Sequence, residues 1–134
     1  MAVDNIFLGN GSDEAVDLLM RVFVRPERDS VLLNPPTYGM YPVYANANGA
    51  KIISVPLTPD FQLQPDKVRP IPCRHVRSPS RQIKEEADKN DCRIIFLCTP
   101  NNPTGNDLKE DDIYAVIKAN PHRYAAIPAS HVPF

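Results

Sequence analysis

Cysteine is scarce in this chain. Cys73, Cys92 and Cys98 form an odd-numbered set with no CxxC spacing, which argues against a disulfide framework or a zinc site. No basic segment followed by an apolar core opens the sequence, and no apolar run approaches the ~18 residues of a membrane span. Neither a secretory leader nor a transmembrane helix is expected, and the default location is the cytosol. Charge of one sign is missing too: the net charge is -1, which gives no electrostatic reason to expect nucleic acid or an anionic membrane as partner. There is no internal repeat.

Proline, by contrast, is in excess. The 15 prolines are about twice the usual ~5% usage. They gather at Pro70, Pro72 and Pro79, and again at Pro121, Pro128 and Pro133, and these stretches are expected to fold least readily. Elsewhere, apolar content of 43% and charged content of 23% are ordinary for a globular chain. At 134 residues the chain is one domain at most, or a piece of a larger one.

Hydrophobic periodicity predicts alternating strands and helices. A short apolar entry at Ile6–Leu8 leads to a helix from Ala15 to Val24, with Leu18, Leu19, Val22 and Phe23 facing inward. Ser12 or Asp13 is its expected N-cap, and Pro26 ends it. Val31–Leu33 reads as a buried strand stopped by Pro35-Pro36. Tyr38–Asn48 reads as a helix capped by Gly49, with Pro42 tolerable only in the first turn. Lys51–Val55 and Ile94–Cys98 read as further strands, and Lys109–Asn120 as a helix with Ile113, Val116 and Ile117 inward. This order implies an α/β fold, a mostly parallel sheet with flanking helices. Two stretches break the pattern. Arg69–Arg81 has no usable period and reads as an exposed, insertion-like loop. The tail 124–134 stands where another buried strand is due, but prolines interrupt it.

Three strand–loop junctions carry residues suited to binding. Gly9-Asn10-Gly11-Ser12-Asp13-Glu14 puts two glycines and a hydroxyl at a helix start, where free N–H groups and the positive dipole end attract anions. A glycine turn before a capped helix would have the same composition. Tyr38, after the rigid Pro-Pro corner, is either a flat plate for a heteroaromatic ligand or a half-buried helix residue with its hydroxyl in water. Tyr41, one turn on, points at substrate or packs. The apolar run Ile94–Cys98 ends in Thr99-Pro100-Asn101-Asn102-Pro103-Thr104-Gly105. Ligands of open α/β sheets bind at the carboxyl ends of the strands, so Asn102, held by the following Pro103, is a candidate contact rather than an ordinary turn residue. Cys98 is expected to be a buried small hydrophobe.

The words Leu8-Gly9-Asn10-Gly11-Ser12-Asp13-Glu14-Ala15, Pro35-Pro36-Thr37-Tyr38-Gly39-Met40-Tyr41, Phe61-Gln62-Leu63-Gln64 and Cys98-Thr99-Pro100-Asn101-Asn102-Pro103-Thr104-Gly105 resemble those of histidinol-phosphate aminotransferases of fungal type. These are fold-type-I, class II enzymes dependent on pyridoxal 5'-phosphate (PLP). The resemblance covers most of residues 5–68 and 92–120. It implies that residues 1–134 are part of the PLP-binding large domain, and that PLP is the cofactor. Gly11, Ser12 and Asp13 would hold its phosphate, Tyr38 would stack on its ring, and Asn102 would bond its 3'-oxygen. The implied reaction transfers the amino group of histidinol phosphate to 2-oxoglutarate in histidine biosynthesis, and the family is homodimeric.

Other elements of the family pattern are not found in this sequence. Its Asp-x-x-Tyr is expected near Ala126–Ala129, where there is neither aspartate nor tyrosine. None of Lys51, Lys67, Lys84, Lys89, Lys109 and Lys118 matches the context of the Schiff-base lysine. The expectation is therefore a truncated or mis-spliced product, with no catalytic residue and no metal, inactive alone. The alternative is a noncatalytic subunit or interaction module pairing with a full-length homologue.

Overall fold

A computed structural model of the chain describes residues 6–64 and 79–127. Helix α1 (Gly11–Phe23) precedes strand β1 (Ser30–Leu33), helix α2 (Met40–Ala47) and strand β2 (Lys51–Ser54). Helix α3 (Pro79–Lys89), strand β3 (Cys92–Phe96), helix α4 (Glu110–Ala119) and strand β4 (Tyr124–Ala126) follow. The four strands form one parallel sheet in the order β2-β1-β3-β4.

Side chains alternate across a strand, and both faces of the central pair are apolar. Val31, Leu33, Ile94 and Phe96 point to one face, where they pack with Val16 and Met20 of α1 and Tyr41 and Ala45 of α2. Leu32 and Ile95 point to the other, where they meet Ile83 and Ala87 of α3 and Val116 of α4. A parallel sheet covered on both sides requires such continuous apolar strands. The expected α/β architecture is therefore observed.

Details differ. Ile6, Phe7 and Leu8 form no strand and are exposed, because no neighbouring strand among the described residues offers them a ladder. The buried face of α1 is Val16 and Met20, with Leu19 and Phe23 packed partly against them, while Leu18 and Val22 face outward. The helix also begins earlier than its apolar period suggests, with Asn10 and not Ser12 or Asp13 at the N-cap. Helix α4 turns Val116 inward and Ile113 partly so, but leaves Ile117 exposed.

The largest departure is α3. Residues 79–81, expected to close an exposed loop, open this helix. Among the residues of α3 whose burial is described, Ile83 and Ala87, one turn apart, are buried, and the surrounding charge obscures that narrow stripe in the sequence. The rest of the expected loop, 69–78, lies outside the described residues. So do residues 128–134 of the tail, whereas Tyr124–Ala126 do pair with β3 as the expected next strand. That strand is half exposed rather than buried, because it forms the sheet edge. The Tyr124 ring stacks on Phe23 with centroids 3.8 Å apart.

Turns between layers are tightly specified. Gly49 adopts φ +65° after α2, a conformation that strains any side chain. Asp29, fully buried at the entry to β1, accepts from the backbone N–H of Arg25 at 2.9 Å and from its guanidinium at 2.7 and 3.0 Å. Cys92 and Cys98 are buried free thiols; Cys73 lies outside the described residues.

Candidate functional site

The carboxyl ends of β1 and β3 and the N-terminus of α1 bring the sequence-derived residues to one edge of the sheet. Gly11 starts α1 at φ +76°, and among the described residues no atom beyond its chain neighbours and its own helix backbone lies within 4 Å of where a Cβ would stand. The N-cap residue, Asn10, makes no side-chain capping hydrogen bond. The Asn10 side chain thus leaves the N–H groups of the first turn unused, and Gly11 and Ser12 are exposed. Glu14 turns back to accept from the Asn10 N–H, which secures the chain entering the helix.

Asp13 is half-buried and its carboxylate is already engaged. The Tyr38 hydroxyl donates to Asp13 Oδ1 at 3.2 Å, which ties the loop after β1 to the first turn of α1. Burial, and then the Asp13 carboxylate, holds the Tyr38 phenol above its ordinary pKa.

The Tyr38 ring stands edge-on to Tyr41, with centroids 5.4 Å apart at 82°. Tyr41 itself is 1% exposed and stacks on Phe96 at 4.8 Å. Of the two readings of Tyr41, packing holds: it is a core residue that backs the Tyr38 ring. Burial raises its phenol far above the normal range, and a hydrogen bond with Cys98 adds to this. The expectation that Cys98 is a buried small hydrophobe is met.

Beside Tyr38 runs a cleft of about 390 Å³, bordered by Leu33, Pro36, Tyr38, Ile52, Ser54 and Pro103, among others. Pro103 belongs to the loop after β3, so the two loops share this wall. Asn102, immediately before it, is exposed and free to present its amide. Among the described lysines, none lines this cleft. Lys84 and Lys89 pair with Asp88 and Glu86 on α3, and Lys51 opens β2 at the opposite end of the strand from Ser54. Lys67 lies outside the described residues.

Two contributors were not singled out in the sequence. Asn101 is 3% exposed, and its Nδ2 donates to Pro36 O at 2.9 Å. Asn34, at the end of β1, donates to Val55 O at 2.8 Å, and among the described residues its Oδ1 is a buried atom without a partner. The only sequence signal for either was an amide next to a proline, which also fits a plain turn. The described residues contain no cluster of acidic, histidine or cysteine side chains that could hold a metal ion. They also contain no helix long and apolar enough to cross a membrane.

A parallel sheet with helices on both faces defines an α/β protein, a fold class in which ligands bind outside the carboxyl ends of the strands. The family model "Aminotransferase class I and II" matches residues 1–127, and the chain belongs to that family. It is similar to the histidinol-phosphate aminotransferase of Cytophaga hutchinsonii, 44% identical over 119 residues, covering 89% of this chain and 30% of that protein. The histidinol-phosphate aminotransferase of Bacteroides fragilis is 44% identical over 117 residues, covering 87% and 29%. The chain thus spans about 30% of the length of the curated relatives it matches. Among solved structures, the histidinol-phosphate aminotransferase from Clostridium acetobutylicum superposes with a TM-score of 0.68 at 20% identity, over 90% of this chain and 30% of that one. A Thermus thermophilus aspartate aminotransferase mutant gives 0.68 at 16% identity, over 87% and 29%. At such identities the likeness is one of fold.

Proposed function

We propose that this chain carries part of the PLP-binding large domain of a histidinol-phosphate aminotransferase. Gly11, Ser12 and Asp13 hold the cofactor's phosphate, Tyr38 covers its ring, and Asn102 donates to its 3'-oxygen. The observation that carries this reading is the Tyr38–Asp13 hydrogen bond: it holds an aromatic plate against the first turn of an uncapped helix. A flat phosphorylated ligand needs those two features side by side. The open space above Gly11 lets the phosphate approach the backbone. The name shared by relatives 44% identical to this chain supports the substrate class.

Bound there, PLP supplies an electron-withdrawing ring that stabilises negative charge on the substrate carbon during amino-group transfer to 2-oxoglutarate. The chain's own residues bind and orient. The α1 N–H groups and the Ser12 hydroxyl donate hydrogen bonds to the phosphate, Tyr38 fixes the plane of the ring, and Asn102 fixes its rotation. No described lysine stands beside the cleft to bond the cofactor or move a proton. These residues alone therefore bind PLP weakly and noncovalently and do not transaminate. Titration with PLP, followed by borohydride reduction and mass spectrometry, tests this. Saturable binding lost in Tyr38→Ala is expected, and a stoichiometric reduced adduct on one lysine would contradict it.

A second reading, a noncatalytic module that pairs with a longer homologue, draws on the edge position of β4, whose Tyr124 is 48% exposed. An unpaired edge strand is a template for another chain. Copurification of the two chains as one species would favour it.

A further inference from the structure

Asn101 and Asn102 are neighbours with opposite surroundings. Asn102 is exposed, whereas Asn101 is 3% exposed. The Asn101 Nδ2 donates to Pro36 O at 2.9 Å, across 65 residues of sequence, and to Thr104 Oγ1 at 2.7 Å. Its backbone N–H donates to Asn106 O at 2.8 Å, and its carbonyl accepts from the Gly105 N–H at 2.7 Å. One buried residue thus closes the 101–106 turn and fastens it to the Pro35-Pro36 corner, two residues before Tyr38.

That corner has few other fastenings. Neither proline has an N–H to donate. The Pro35 carbonyl accepts from the Leu57 N–H at 2.8 Å, and the Pro36 carbonyl takes the Asn101 amide. The outer side of the loop after β3 is held separately by Gln62. Its Nε2 donates to Asp107 O at 3.0 Å and its Oε1 accepts from the Lys109 N–H at 3.1 Å.

We propose that Asn101 is a positioning residue that couples the Asn102 amide to the Tyr38 ring, so that the two move as one unit. The ligand in this inference rests on the PLP reading above, but the coupling is a property of the chain's own loops. A ring plate and an amide can grip one flat ligand together only if the spacing between them is set beforehand. The Asn101–Pro36 hydrogen bond bridges the loops that carry them. Without it, each loop keeps its own contacts with the protein and loses its hydrogen-bonded tie to the other.

The test has a ligand-free arm and a PLP arm. In amide hydrogen exchange, Gly105 reports the turn. Leu57 and Tyr41, whose N–H donates to Tyr38 O at 3.2 Å, report the corner. Asn101→Ala is expected to speed exchange at all three by roughly tenfold. Thr104→Val should speed Gly105 alone, and Gln62→Ala should leave Tyr41 and Leu57 unchanged. Acceleration confined to Gly105 in Asn101→Ala would overturn the coupling. If that variant fails to fold, exchange in the unaltered chain under mild denaturant decides. A common opening for the three amides supports the coupling, and a separate, easier opening at Gly105 overturns it.

In the second arm, PLP titration is followed by tyrosine fluorescence. Asn101→Ala should weaken binding roughly tenfold in the unaltered chain, but under about threefold in an Asn102→Ala background, because the two residues act through one contact. Equal losses in both backgrounds would mean a merely structural role and would overturn the proposal. Absence of PLP binding by the unaltered chain would defeat the PLP reading and leave the coupling to stand or fall on exchange.

Discussion

The Tyr38 hydroxyl donates to Asp13 Oδ1 at 3.2 Å, joining the loop after β1 to the first turn of a helix 25 residues earlier in the chain. The contact matters because Tyr38 also leans on Tyr41, which leans on Phe96. The ring is thus held from its hydroxyl end and from its edge. A surface tyrosine has neither constraint.

Asp13→Asn tests the first of these supports. The negative carboxylate accepts a hydrogen bond from the phenol and opposes formation of the phenolate, so its neutralisation should let Tyr38 ionise at lower pH. Burial, the larger cause of the upward shift, stays in place, so the return toward the ordinary value should be partial. Tyrosinate absorbance, taken as the difference from Tyr38→Phe, measures it. An unchanged titration would mean that Asp13 contributes nothing.

Asp29 makes stability depend on acid. The Arg25 guanidinium and then its backbone N–H, with Arg93 at 3.4 Å, hold the Asp29 carboxyl far below the usual carboxylate range against the opposing effect of burial. A carboxyl depressed in the folded state adds stability above its unfolded value of about 3.9, and that stability is lost as pH falls through the folded value. Urea midpoints should therefore fall with acidification below about pH 4. Asp29→Asn should be less stable at neutral pH and show a flatter acid dependence. Parallel pH profiles for the two proteins would contradict this.

Gly11 and Gly39 both have free space where a Cβ would stand, but they differ in backbone. Gly11 sits at φ +76° and Gly39 at φ -64°. Gly11→Ala should cost about 1 kcal/mol of stability through strain alone. Gly39→Ala should be neutral, or stabilise by about 0.5 kcal/mol through the unfolded chain. Thermal or urea unfolding of the two variants gives the comparison directly, and equal effects would refute the strain argument.

Burial pushes the Cys92 thiol up to about 11. At pH 8 roughly one molecule in a thousand would carry the reactive thiolate there, compared with a sizeable fraction for a free cysteine. In a Cys73→Ser/Cys98→Ser background, which leaves Cys92 as the one thiol, a disulfide reagent should label it slowly in the folded chain and at once in denaturant. Fast labelling of the folded chain would show that the β3 entry opens readily.

Legibility in the sequence followed the strength of each local signal. Val31–Leu33 and Ile94–Phe96 were plain because a strand buried on both faces must be apolar throughout. α4 was plain because three apolar residues recur at helical spacing, although packing then left Ile117 outside. α3 was hidden because the buried apolar residues described on it, Ile83 and Ala87, form one narrow stripe among charged neighbours. The glycine turn, Tyr38 and Asn102 stood out because each follows a strand end or opens a helix. Asn101 did not, since its role is a hydrogen bond to a carbonyl 65 residues away.

The sequence alone determined a parallel α/β sheet, three candidate contacts at its carboxyl edge and a resemblance to aminotransferases. Those follow from periodicity, proline and glycine placement and short motifs, all of which are local. Tertiary structure alone decided that Tyr41 is core, that Asp13 is spent on Tyr38, and that a buried amide joins two of the three loops. These depend on which distant backbone groups meet once the layers pack, and no local pattern records such a meeting.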